Sequence, residues 1–326
     1  MNYLLPVSVR HIEQSELSQN LGTFDFVLCA ASAEARALKV PRLTKNAGGR
    51  KLAFQVGTDD GACDKLTSTL NSNGFECIRY SEEDFRLMLL SFGEERQASN
   101  ENPTKIVIDV SCIPRRIIAS VMAVLAESNS EGGIELWILY NPARYVPPTN
   151  GSLEPNRRVA PVHPIFAGWT AKPGLPVRTI VGLGYERGKA IGAVEYIQSS
   201  DYVLLIPDSP EKRYRTKVEQ HNRKLIKAAR DEHVFEYDVL RPVETFRVLG
   251  ALVAGMKRDV KPVLLPFGPK ILFAVGLLVA LVHREVSVWH VSGEEMERPV
   301  DKQGSSRLAT LKVKLERRDP GSSPVD

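Results

Sequence analysis

The sequence predicts an α/β protein built as two tandem Rossmann-like units, each a mainly parallel five-stranded sheet flanked by helices. Short apolar runs of strand length alternate with helix-length segments, the pattern of βα units that assemble a parallel sheet. The same order of five strands and four helices occurs on both sides of a Pro/Gly-rich stretch that suits neither a long helix nor a central strand. The two copies also share local details. Phe75-Glu76 opens one third strand and Phe235-Glu236 the other, Asp84-Phe85-Arg86 is echoed by Thr245-Phe246-Arg247, and Trp137 answers Trp289. Each fourth strand runs into a proline followed by a base, Pro114-Arg115 and Pro269-Lys270.

Taken in order, the first copy has strands at Phe24–Ala30, Leu52–Gly57, Phe75–Tyr80, Lys105–Val110 and Glu135–Tyr140, with helices near 32–39, 61–73, 82–94 and 113–127. The second has strands at Thr179–Leu183, Tyr202–Pro207, Val234–Leu240, Pro262–Pro266 and Val286–Val291, with helices near 186–198, 211–231, 242–257 and 270–283. The implied organisation is a first unit at 20–145, a linker at 146–177, a second unit at 178–293 and a charged tail at 294–326 whose last dozen residues fray.

Composition narrows the function classes. A chain of 326 residues, 43% hydrophobic and 25% charged, buries a real core and is not disordered. The longest apolar run, Ile271 to Val282, is far shorter than the roughly 20 residues a bilayer requires. The N-terminal residues show no basic stretch leading into a long apolar one, so the expectation is a cytoplasmic protein without membrane contact. Cys29, Cys63, Cys77 and Cys112 stand far apart and are read as reduced thiols. Scattered histidines give no metal site, and no cofactor is predicted; the phosphate loop of nucleoside triphosphatases and the hydrolase elbow are both missing. A net charge of +4 does not by itself predict nucleic-acid binding.

In open parallel sheets, ligands lie beyond the carboxyl ends of strands, where loops enter helix N-termini that attract anions. The loops after the first and fourth strands therefore hold the candidates. In the first copy these are Ser32, Glu34 and Arg36, then Asp109, Ser111 and Arg115; in the second they are Gly184, Tyr185, Glu186, Arg187 and Lys189, then Gly268 and Lys270. Ser111 suits either a helix cap or a hydroxyl donor to phosphate, and Arg115 a two-pronged anion contact. Gly268 permits close approach of a ligand, Lys270 supplies a point charge, and Tyr185 offers a face to a base. Pro266 stands where the first copy has Ser111, so the two half-sites are not equivalent.

Asp109-Val110-Ser111-Cys112-Ile113-Pro114-Arg115 resembles the (Asp/Asn)-x-(Ser/Thr)-x-x-x-(Arg/Lys) pattern after the fourth strand of CRISPR-associated Rossmann fold (CARF) domains. Pro266-Phe267-Gly268-Pro269-Lys270 is similar to their Gly-x-Lys loop, and a fused pair is similar to SAVED sensor domains. The resemblance implies an anionic nucleotide ligand, a cyclic oligonucleotide of prokaryotic antiviral defence, and a separate effector partner. It also admits an enzyme that cleaves such a ligand without metal. Gly182-x-Gly184-x-x-x-Gly188, with Asp208 closing the next strand, resembles a dinucleotide fingerprint and keeps an NAD(P)-binding alternative open. The basic segment 211–232 is a weaker candidate for nucleic acid, since a charge run is usually a solvated helix face.

Overall fold

The structure, a computed structural model, describes residues 3–56, 62–97, 103–146, 156, 158–169, 172, 174–199, 201–292 and 302–317. In chain order the elements are β1 (Leu4–Arg10), α1 (Gln14–Gln19), β2 (Phe26–Ala31), α2 (Lys39–Leu43), β3 (Arg50–Gln55), α3 (Ala62–Ser72), β4 (Glu76–Ile78), α4 (Glu82–Gln97), β5 (Thr104–Asp109), α5 (Arg115–Glu127) and β6 (Ile134–Tyr140). They continue with β7 (Arg158–Pro161), β8 (Val177–Gly182), α6 (Lys189–Ile197), β9 (Tyr202–Asp208), α7 (Lys212–His221), α8 (Arg223–Ala228), β10 (Val234–Asp238), α9 (Pro242–Met256), β11 (Lys261–Pro266), α10 (Lys270–Val282), β12 (Ser287–Ser292) and β13 (Ala309–Arg317).

The chain divides into two compact units, Met1–Ala143 with Arg298–Asp326, and Arg144–Glu297. The first unit holds a seven-stranded sheet in the order β1-β13-β6-β5-β2-β3-β4. Strands β6, β5, β2, β3 and β4 are mutually parallel, whereas β13 runs antiparallel to both β6 and β1. The second unit holds six strands in the order β10-β9-β8-β11-β12-β7, parallel from β10 to β12, with β7 antiparallel at the edge. Within the parallel part the two orders are the same: third, second, first, fourth, fifth in sequence. That is the doubly wound order whose switch point lies between the first and fourth strands.

The expected five-strand count and simple tandem order therefore give way to sheets of seven and six strands and a discontinuous first unit. The stretch read as a linker supplies β7, and the stretch read as a charged tail supplies β13. Leu311, Val313 and Leu315 of β13 are fully buried, while Lys312 reaches back across the sheet to Glu135 at 2.7 Å and lies over the Trp137 ring at 4.7 Å. Of the dozen residues expected to fray, 318–326 lie outside the described residues.

The inner parallel strands of both sheets are apolar on each face because helices cover them. β2 is buried at every residue, α5 buries Ile118 to Ala126, and α10 buries Ile271 to Leu281. The tryptophan echo has a structural counterpart, since Trp137 donates to Glu135 and Trp289 to Ser287, each two residues back on its own strand. Cys29, Cys77 and Cys112 form no disulfide, and burial pushes the Cys29 thiol well above its ordinary pKa. The side chain of Cys63 lies outside the described residues. Among the described residues no helix is long and apolar enough to cross a membrane.

Two substitutions test this architecture. Leu311→Ala is expected to cost about 2–5 kcal/mol in urea denaturation, as for a core leucine; a neutral result would return β13 to the status of a tail. At Gly49 a Cβ would overlap the Asp25 carbonyl and stand 2.5 Å from the Phe24 carbonyl oxygen, both of which hold the turn into β3. Gly49→Ala should therefore lower stability by about 1–3 kcal/mol or more, read from the denaturation midpoint.

Candidate functional site

In the second unit, β8 and β11 are paired in register from Val177↔Lys261 to Gly182↔Pro266, so their carboxyl ends release two loops side by side. These loops touch backbone to backbone. A Cβ at Gly184 would stand 2.9 Å from the Phe267 carbonyl oxygen, and one at Gly268 would stand 2.8 Å from that of Leu183. Gly182 faces the Leu272 side chain of α10 with no room for a methyl group. Gly184 and Gly268 thus allow the close packing of loop on loop, and Gly182 that of helix on strand. Gly188, at φ +81°, turns the chain into α6, which starts at Lys189 rather than at the expected 186.

Residues that the sequence did not single out hold the first of these loops. Asn222 donates to the Gly184 carbonyl at 2.8 Å and to the Val218 carbonyl at 2.8 Å, and His221 Nδ1 bonds the Tyr185 carbonyl oxygen. The same Asn222 breaks the predicted 211–231 helix into α7 and α8, because an asparagine side chain competes for backbone groups that a continuous helix would use. Tyr185 itself is half-buried, with its ring 5.5 Å from that of Tyr214, which in turn lies 5.2 Å from Tyr145. Glu186 turns its Oε2 back against Gly184, where that buried oxygen has no hydrogen-bond partner. Arg187 is exposed.

The fourth-strand loops correspond in detail. Each of α5 and α10 follows an N-cap proline in an extended conformation, Pro114 and Pro269, with no side-chain cap, and each begins on a base, Arg115 or Lys270. Both bases are half-buried. Ser111 does not cap α5: its hydroxyl bonds the Asp109 carboxylate and accepts the Asn141 amide at 2.7 Å. Asp109 also accepts the Ser111 amide at 2.9 Å, closing an Asx turn at the end of β5.

The remaining first-unit candidates are drawn into the same buried framework. Arg36 donates to Glu34 at 2.7 Å and to the Asn141 carbonyl at 3.1 Å, and the Ser32 hydroxyl accepts the Glu34 amide at 3.4 Å. Burial opposes the Arg36 charge, yet Cys112, Tyr140 and Glu34 outweigh the desolvation and hold its pKa above the usual arginine value. The chain returning toward β13 lies over this loop. The Arg36 amide donates to Lys302 O at 3.2 Å, the Ser305 amide to Pro142 O at 2.8 Å, and Lys39 Nζ to Ser305 O at 2.8 Å and Ser306 O at 2.6 Å. Gly304 packs directly on the Asn141 amide, whose side-chain atoms have no hydrogen-bond partner.

No protein-family model matches the chain, and no curated protein matches it. The site is thus defined by its own geometry. The basic surplus of segment 211–232 is partly offset in place: Lys212 meets Asp208 at 2.7 Å, Arg213 meets Glu211 at 3.2 Å, and Arg215 meets Glu219 at 3.0 Å and grips Glu236. A pocket of about 160 Å³ opens between β10, β9 and α9. Among its lining residues, Tyr237 reaches the β11 loop, its hydroxyl 3.0 Å from where a Gly268 Cβ would stand. Among the described residues, His, Cys, Asp and Glu nowhere gather into a set that would hold a metal ion.

Two outcomes follow from these contacts. Asn222→Ala should cost about 1–3 kcal/mol, the penalty of unsatisfied buried groups, and should speed hydrogen exchange in residues 183–187. Arg36→Ala should cost about 3–5 kcal/mol in urea denaturation because it strands the Glu34 carboxylate; a loss below about 1 kcal/mol would mean that the pair is solvated.

Proposed function

We propose that the chain is a cytoplasmic regulatory protein that binds an anionic nucleotide, a cyclic oligonucleotide of prokaryotic antiviral defence, and passes its occupancy to a separate effector protein. The observation that carries this reading is the loop after β11. At the switch point of a doubly wound sheet, Gly268 and Pro269 lead straight into the uncapped N-terminus of α10, with Lys270 as its first residue. The positive end of a buried 13-residue helix and a cation converge there, a combination that phosphate groups select. The exposed Arg187 lies on the neighbouring loop and adds a guanidinium suited to a second phosphate oxygen. Arg115 occupies the matching place in the first unit.

Nicotinamide dinucleotide is the weaker occupant. A pyrophosphate would need to approach Gly184, where Glu186 already places a carboxylate oxygen. In the same region Asp208, the acid available for a ribose hydroxyl, is paired with Lys212.

Native mass spectrometry of the purified chain, followed by calorimetry with cyclic di-, tri-, tetra- and hexa-adenylate and with NAD, tests the reading. A cyclic oligonucleotide should bind, and Lys270→Ala or Arg115→Ala should weaken it by about 10- to 100-fold, the worth of a charged contact, with little change in melting temperature. Flat titrations throughout would reject the proposal. Linear products recovered after incubation would convert the sensor into a metal-independent nuclease.

A further inference from the structure

Beside the loop after β8, three tyrosines from distant parts of the second unit meet in a row. Tyr145 comes from the start of the unit, Tyr185 from the loop and Tyr214 from α7. The Tyr145 and Tyr214 rings are 5.2 Å apart at 73°, and Tyr185 and Tyr214 are 5.5 Å apart at 50°. Arg213 lays its guanidinium 5.0 Å over the Tyr145 ring while its side chain stays 71% exposed. A row that served only as internal packing would bury its rings, yet all three tyrosines remain half-buried.

We propose that Tyr185, Tyr214 and Tyr145 form a stacking platform for a nucleobase of the ligand, with Arg213 as its cationic end. The inference rests on the nucleotide reading above and names the part of the ligand that the second unit recognises. Every base presents a π-face, so aromatic rows beside basic side chains take bases with little sequence preference. Arginine adds a cation–π contact to the same surface.

The platform is held in place before any ligand arrives. Tyr214 donates its hydroxyl to the Arg144 carbonyl at 3.1 Å, His221 bonds the Tyr185 carbonyl oxygen, and Asn222 holds Gly184 one residue earlier. A surface ordered in the free protein loses little entropy when a base lands on it. Its place is also consistent with phosphate recognition, since Tyr185 lies on the loop that packs against the one leading to Lys270.

The test uses cyclic di-, tri-, tetra- and hexa-adenylate, each carrying one 2-aminopurine, whose emission falls when the base stacks on an aromatic ring. Binding to the wild-type chain should quench the emission. Tyr185→Ala and Tyr214→Ala should weaken binding by about 10- to 100-fold and remove the quenching, whereas Tyr185→Phe and Tyr214→Phe should retain both. Thermal melts check folding of each variant, and Arg213→Ala, which removes an exposed side chain together with its solvated pair to Glu211, should weaken binding in a chain of nearly unchanged stability.

Tight binding without quenching, or Ala variants that bind as the wild type does, would overturn the platform while leaving the nucleotide reading intact. So would a Tyr214→Phe variant that weakens binding as much as Tyr214→Ala, because it loses only the hydroxyl bond that anchors Arg144. Failure of all four probes to bind the wild-type chain would overturn the platform and the nucleotide reading together.

Discussion

The close backbone approach of the loops leaving β8 and β11 governs the geometry of the second unit's site. With the two strands paired through Gly182↔Pro266, neither loop has room for a side chain where they cross, and Gly184 and Gly268 meet the carbonyls of Phe267 and Leu183. From that crossing the chain has one direction left on each side. One loop turns through Gly188 into α6 and presents Tyr185, Glu186 and Arg187 on the way; the other enters α10 through Pro269 and presents Lys270. The α7–α8 junction then grips the first loop through Asn222 and His221, so the next βα step of the chain fixes the position of Tyr185. A substitution at either glycine would disturb both loops at once, because carbonyl groups yield far less readily than side chains.

Much of this fold was legible in the sequence, for a reason that particular strands make plain. Runs such as Phe26–Ala31 and Lys261–Pro266 are apolar because parallel strands are covered on both faces, and a continuous apolar run needs no alternation to be recognised. The strands that escaped are all antiparallel additions. β13 reads Leu311, Val313, Leu315 against Lys312 and Lys314, an alternation that marks a strand but which its charge content disguises as a tail. β7 lies within a Pro/Gly-rich stretch, and β1 carries a proline at Pro6, where its pairing with β13 shifts register. Pairings between residues separated by most of the chain, such as Val9↔Val313, leave no local trace.

Site residues were legible as positions and less so as roles. Spacing placed Ser111, Arg115, Gly184, Gly268 and Lys270 at the strand ends where they are found. It did not reveal that Ser111 bridges Asp109 and the Asn141 amide, nor that the glycines answer to neighbouring carbonyls. Those roles depend on groups brought in from remote sequence. Asn222, Tyr145 and Tyr214 had no signal at all, since an asparagine in a charged helix, a tyrosine at the last expected residue of the first unit and a tyrosine in a basic run look like ordinary surface residues.

The two units occupy the same topological position with opposite chemistry. In the first, Arg36 is buried and already satisfied by Glu34 and the Asn141 carbonyl, under a chain segment that includes Lys302 and Ser305. A guanidinium so placed would contribute to an incoming anion only the difference between that anion and its present partners. Drawing Arg36 away from those partners would leave the Glu34 carboxylate buried without its counter-charge, at a cost that commonly exceeds the gain of a new contact. In the second, Arg187 is exposed, and Arg213 is exposed although paired with Glu211, so a ligand there competes with water and with a solvated ion pair rather than with a buried one. Under the nucleotide-binding reading, the second unit offers the charges that stand closest to solvent, while the first offers the half-buried Arg115 rather than its buried Arg36.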